Sequence, residues 1–326
     1  MQKRFAFLIA PVLLSAGIFY LVFAWRNAPA ILADASGRVL GDFAVAGEEQ
    51  AKAFLADPRT LPRAEEKLRA VKIKDEDLDI ACPAGYILDA ASGQALFGKN
   101  ENERRPLASL TKLMTALVFL EGDPDWDEYY EIRKSELFGE TSRFLLKGDR
   151  VKTRDLFNLV LVASDNAAAE ALASHSKAGR KNFIAAMNRM AGALKMENTY
   201  FNDAAGLSRY SISTPKDIAS LAEEAFSRPE IREASQKPNY RFSTLAGRTR
   251  TAAATDVLLK NYPRDGVNIA GGKTGFTNAA GYCYAGQFNK DGRELITVVM
   301  GGAKENSRFA ETERMVRWAY GSHEWR

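Results

Sequence analysis

Arg105-Pro106-Leu107-Ala108-Ser109-Leu110-Thr111-Lys112-Leu113-Met114-Thr115-Ala116 decides how the rest of the chain is read. Leu110, Leu113, Met114, Leu117 and Leu120 recur at helical spacing behind Pro106, so the segment opens a helix with Ser109 in its first turn. The unpaired N–H groups and positive dipole end there favour developing negative charge at a hydroxyl or an oxyanion. Lys112, three residues on, lies on the same face as Ser109. Away from bulk water and near other cations an ammonium is disfavoured, so the amine is suited to take the serine proton.

Two further clusters follow in the order a lysine-assisted acyl transferase needs: Ser164-Asp165-Asn166, then Lys273-Thr274-Gly275 within an alternating, strand-like stretch from Val267 to Phe276. The chain has only two histidines, His175 in an alanine-rich helical run and His323 at the C-terminus, where fraying is expected. Neither position suits a serine–histidine–acid triad. No HExxH or comparable ligand spacing occurs, so no metal and no cofactor are implied.

With its S-x-x-K, S-x-N and K-T-G motifs the chain resembles the penicillin-recognising serine enzymes, and specifically the low-molecular-mass D-alanyl-D-alanine carboxypeptidases and their endopeptidase relatives. The likeness runs from about Ile80 to Trp318 and includes Leu194-Lys195-Met196-Glu197-Asn198-Thr199-Tyr200-Phe201, Gly206-Leu207, Ser213-Thr214 and Gly272 to Cys283. It implies Ser109 as nucleophile and Lys112 as its base. Ser164 and Asn166 would serve proton relay and substrate-amide binding, and Lys273 would set the field. Thr274 would bond a terminal carboxylate, Gly275 lies on the substrate-binding strand, and the Ser109 and Phe276 amides would form an oxyanion hole. Arg308 aligns with a carboxylate clamp, a role that suits the planar guanidinium fork.

The implied fold is α+β and β-lactamase/DD-peptidase-like: a five-stranded antiparallel sheet from Tyr86–Phe97 and Val267–Gly302, flanked by terminal helices. A mostly helical subdomain, about Thr115 to Tyr240, is inserted between the sheet halves, and the last helix covers Phe309 to Tyr320. The expected activity is hydrolysis of the terminal D-alanine of peptidoglycan stem peptides through an acyl-serine, with β-lactams as covalent inhibitors. Cleavage of cross-links is the nearest alternative, because Ser-Asp-Asn replaces the usual Ser-Gly-Asn and Ala167–Leu172 resembles the endopeptidase branch. A β-lactamase, with Glu197 as water activator, and a non-hydrolytic muropeptide or β-lactam binder stay open. Asp256 stands where an asparagine is usual. Cys82 and Cys283 precede strands that are not neighbours in such a sheet, so buried free thiols are expected.

At 326 residues, 46% hydrophobic and 26% charged, the chain can bury one full core. A net charge of +4 without a dense basic run interleaved with aromatics gives no reason to expect a nucleic-acid partner. Phe5 to Trp25 is apolar apart from Ser15 and follows Lys3 and Arg4; at ~1.5 Å per residue it spans a bilayer core of roughly 30 Å. The expected organisation is an anchor or signal over 1–26, a spacer over 27–79 with short charged helices at Glu48–Leu55 and Arg63–Val71, and a catalytic domain over 80–326. An uncleaved anchor would leave that domain outside the cytoplasm, on the periplasmic or cell-wall side.

Overall fold

The computed structural model describes residues 69–74, 77–137 and 142–326. The apolar N-terminal stretch and the helix expected at Glu48–Leu55 lie outside them. Among the described residues, no helix is long and apolar enough to cross a membrane.

Five antiparallel strands form the central sheet: β1 (Ala84–Asp89), β2 (Gln94–Lys99), β3 (Val267–Thr277), β4 (Gly281–Lys290) and β5 (Arg293–Gly302). Their spatial order is β3-β4-β5-β1-β2, which puts the two sequence-distant halves edge to edge through the β5–β1 pairing of Val298 with Tyr86. Side chains alternate between faces, as the two-residue strand period requires. Tyr86, Leu88, Ile296, Val298 and Met300 join the core shared with the helical subdomain. Ile87, Leu295, Val299, Tyr284 and Phe288 pack with Phe309, Met315 and Val316 of the C-terminal helix.

The inserted subdomain holds α1 (Thr111–Leu120), α2 (Thr153–Val162), α3 (Asn166–His175), α4 (Gly179–Ala193), α5 (Pro215–Ser227) and α6 (Pro229–Ser235). Helix α1 is buried from Thr111 through Phe119, as a helix apolar on every side must be. Thr214 caps α5 by accepting from the Asp217 amide, and Pro215 fills the first turn, where no N–H is needed.

The ends of the domain differ from the sequence expectation. The last helix, α7, covers Glu305–Ser322, longer at both ends than Phe309 to Tyr320. Beyond it His323–Trp325 pairs antiparallel with Ala70–Lys72. His323 therefore does not fray; it is buried and packs edge-on against Trp318 at 5.0 Å. Residues 70–72 are strand rather than the end of a charged helix, and they belong to the same compact unit, Lys67–Arg326, as the catalytic fold. The domain thus begins before residue 80, because the C-terminal strand supplies backbone partners that the local sequence does not reveal.

Candidate active site

Ser109 lies in a one-turn 3-10 helix, Ala108–Leu110, that runs directly into α1, so the expected helical first turn is tighter than an α-helix. Ala108 adopts φ +47°, a left-handed conformation unusual for a residue with a Cβ, and Ser164 of the second motif does the same at φ +57°. Both strained residues sit at the mouth of the cleft, where surrounding packing over-determines them. Gly206, at φ +79°, fits against the Ala108 carbonyl so closely that any Cβ would collide with it. On the other side, a Cβ on Gly275 would come within 3.3 Å of the Ser109 amide nitrogen. The edge strand β3 thus brings its backbone onto the nucleophile's own N–H, and glycine is what permits the approach.

Lys112 Nζ is 2.9 Å from Ser109 Oγ, 2.7 Å from Asn166 Oδ1 and 2.6 Å from the Ala205 carbonyl oxygen. A neutral amine has two N–H groups and one lone pair. Two carbonyl oxygens take the hydrogens, and the lone pair remains for the serine proton. Lys112 is fully buried, and burial lowers its pKa to about 8 against the opposing pull of Asp165, Asp203 and Glu170.

Lys273, also buried, donates to Ser164 Oγ at 2.8 Å and to the Thr274 carbonyl at 2.8 Å. Burial, then the charges of Lys112 and Arg308, hold it well below the ordinary lysine range. Ser109, Lys112 and Asn166 therefore form one hydrogen-bonded group, and Ser164 with Lys273 a second on the other wall of the cleft. His175 is occupied elsewhere, 3.2 Å from the Thr153 hydroxyl and 3.2 Å from a Glu128 carboxylate oxygen.

Thr274 and Gly275 line the cleft edge of β3, and Phe276 is exposed and stacked on Tyr282 with ring centroids 4.2 Å apart. Arg308 is not presented to solvent. It is buried behind β3, donates to the Gly275 carbonyl at 3.1 Å, and lies over the rings of Tyr282 and Phe309. Packing of α7 on the sheet turns this arginine inward, which its place in a polar helix start does not suggest. Glu197 is exposed and makes no hydrogen bond among the described residues, so the water activator of a β-lactamase is not found there.

Several functional neighbours have no motif to announce them. Thr255 Oγ1 lies 2.6 Å from Thr274 Oγ1 and fixes the direction of that hydroxyl. Asp165 caps α3 through the Ala168 amide at 2.8 Å and accepts from Ser142 at 2.8 Å, holding Ser164 and Asn166 on either side of it in place. Glu170 is buried, paired with Arg180 at 2.5 Å, and accepts from the Ala204 amide at 3.3 Å, fixing the loop that offers the Ala205 carbonyl to Lys112. Asp256 accepts from the Tyr284 hydroxyl at 2.8 Å, and burial raises its pKa. Cys82 and Cys283 are free and buried, and burial pushes both thiols up to about 11, which leaves them inert as nucleophiles.

A family profile described as Peptidase_S11, D-alanyl-D-alanine carboxypeptidase, matches residues 70–304. The chain belongs to this family. It is 33% identical over 243 residues to a D-alanyl-D-alanine endopeptidase of Escherichia coli, covering 74% of this chain and 77% of the relative. It is also 28% identical over 249 residues to the D-alanyl-D-alanine carboxypeptidase DacF of Bacillus subtilis, covering 74% of this chain and 62% of that one. Among solved structures, the cefotaxime-bound form of penicillin-binding protein D2 from Listeria monocytogenes superposes with a TM-score of 0.66 at 30% identity, covering 75% of this chain and 99% of that one. The α+β fold with its five-stranded antiparallel sheet is thus that of the penicillin-recognising DD-peptidases, and the family is one of serine peptidases.

Proposed function

We propose that the protein hydrolyses the bond after the penultimate D-alanine of peptidoglycan stem peptides, releasing the terminal D-alanine through an acyl-serine intermediate. The observation that carries this is the Lys112 amine 2.9 Å from Ser109 Oγ with its two other bonds directed to carbonyl oxygens. Ser109 Oγ attacks the carbonyl carbon as its proton passes to Lys112. The Ser109 and Phe276 amides face the developing oxyanion. Asn166 holds the substrate amide, and the proton reaches the leaving amine through Ser164, which Lys273 orients. Thr274, set by Thr255, bonds the carboxylate of the leaving residue, while Arg308 strengthens the positive field from behind the strand. Water then attacks the ester by the reverse proton path, which regenerates Ser109. β-Lactams enter the same sequence and stop at the ester.

Cleavage of cross-links is the second reading, favoured by the endopeptidase relative at 33% identity and by the Ser-Asp-Asn motif. Incubation with a pentapeptide and with a cross-linked dimer, followed by measurement of free D-alanine and of monomer, distinguishes the two. Release of neither, with an intact acyl-enzyme, identifies a binder rather than a hydrolase. We also place the catalytic domain outside the cytoplasm, tethered by the apolar segment over 5–25. A soluble mature protein beginning near Ile31 overturns the tether.

A further inference from the structure

The leaving-group end of the cleft, marked by Ser164, Lys273 and Thr274, does not stop at Thr274. Thr255 connects it to the strand Thr249–Ala253, which pairs with Asn239–Ser243 in a two-stranded ribbon. Arg250 lies on this ribbon, five residues before Thr255, and Arg248 two residues earlier. The main chain of the neighbouring loop meets them: Arg250 Nη1 donates to the backbone carbonyl of Arg143, an exposed residue, at 3.5 Å. The residue before Arg143 is Ser142, whose hydroxyl bonds the Asp165 carboxylate at 2.8 Å within the second motif. The three arginines therefore lie on two segments, each of which reaches the catalytic constellation through a neighbouring residue, Thr255 on one and Ser142 on the other.

Among the described residues, Asp149 is the only carboxylate paired with any of the three, and it pairs with Arg248. Arg248 Nη1 and Arg250 Nε are buried donors without an acceptor, an arrangement that folded proteins otherwise avoid. Burial first, and Arg250 second, push the Arg248 guanidinium below its ordinary range. Arg248 and Arg250, half-buried and with one carboxylate between them among the described residues, suit an anionic ligand. From Arg250 to Ala253 the strand spans about 10 Å, the length of about three residues of a peptide running out of the cleft.

We propose that Arg143, Arg248 and Arg250 form a subsite for the carboxylates of an acidic peptide leaving group. The inference rests on the DD-peptidase reading and develops its second form, the cleavage of cross-links. A terminal D-alanine ends at its own carboxylate on Thr274 and never reaches the arginines. A cross-linked stem continues past that point and carries further carboxylates to them. The cluster thereby favours cleavage of cross-links over trimming of free ends, with guanidinium forks selecting carboxylate geometry.

The test uses the full chain, its Arg250→Gln and Arg143→Gln variants, and one acyl-D-alanyl donor carrying either D-alanine or an acidic peptide as leaving group. The double variant is expected to lose about tenfold in kcat/KM on the acidic leaving group and less than about twofold on D-alanine, with the difference fading at about 0.5 M salt. Unchanged acylation by a β-lactam shows that the site still folds. Calorimetry with the acidic leaving peptide alone should show binding by the natural chain, about tenfold weaker in the double variant. Equal loss on both leaving groups, or no loss on the acidic one, overturns the subsite. If the natural chain hydrolyses neither substrate, the DD-peptidase reading fails, and the calorimetric comparison still decides the arginine cluster.

Discussion

Two lysines face each other across the cleft, both buried, yet their surroundings differ in sign. On the helical side Lys112 is ringed by Asp165, Asp203 and Glu170, which restrain the fall of its pKa at about 8. On the sheet side burial acts together with the charges of Lys112 and Arg308, with Asp256 as the opposing carboxylate, and Lys273 is held well below the ordinary lysine range. Burial alone would treat the two alike; the counter-charges assign different roles. Lys112 is poised to lose a proton near neutrality and to offer a lone pair to Ser109. Lys273 is a donor whose bonds to Ser164 and the Thr274 carbonyl fix the opposite wall. Two ammonium groups this close in low dielectric repel, so protonation of either disfavours protonation of the other.

The sharpest way to break this division is Lys112→Arg. A guanidinium keeps the charge and cannot act as a base, so formation of the acyl-enzyme, followed by mass spectrometry with a β-lactam, should slow by about a thousandfold or more. Near-normal acylation would remove Lys112 from the mechanism. Next comes Gly206→Ala, which touches no reacting atom. The added methyl displaces the Ala108 carbonyl and with it Ser109, and a slowing of about a hundredfold is expected because catalytic groups tolerate little misplacement.

The pH profile sharpens the comparison further. Acylation requires the neutral amine, so kcat/KM should climb with pH and level off above about 8. At pH 7 about a tenth of the enzyme is then competent. Glu170→Gln removes a carboxylate that favours the charged form and should move the rising limb to lower pH. Lys273→Met removes a group that burial and Lys112 already hold well below the ordinary lysine range, and should leave the limb where it is. A limb that ignores the loss of Glu170 would mean that the carboxylates do not set the base.

The smallest effect belongs to Asp256→Asn. Burial holds the folded carboxyl above its ordinary pKa. The unfolded chain therefore ionises first as pH rises, and stability is lost from the ordinary carboxylate range upward to the folded value. An asparagine removes that loss but has one oxygen for the two donors that the carboxylate serves, the Tyr284 hydroxyl and the Leu258 amide. Urea unfolding near pH 7 should therefore change by less than about 1 kcal/mol, while a loss of about 3 kcal/mol or more would make the ionised carboxylate a needed partner of Lys273.

The legible part of this molecule lay where residue type and spacing carry chemistry. The helix behind Ser109 follows from its leucine periodicity, and the edge strand around Lys273 from alternation. The two buried thiols fit the separation of their strands by β5. Not legible there were features made by contacts between distant segments: the bond from Arg308 to the Gly275 carbonyl, the strand at Ala70–Lys72, and Thr255 behind Thr274.

The sequence by itself determined which groups are available: two hydroxyls, two amines and an amide in one order, with histidines too few and too remote to replace them. Only the tertiary structure decided how burial and neighbouring charges shift each lysine, how tightly Ala108 and Gly206 hold the nucleophile, and where Arg248 and Arg250 gather. The physical reason is that proton affinity and charge compensation depend on burial and on carboxylates brought in by other elements, whereas periodicity records only what each segment must hide from water.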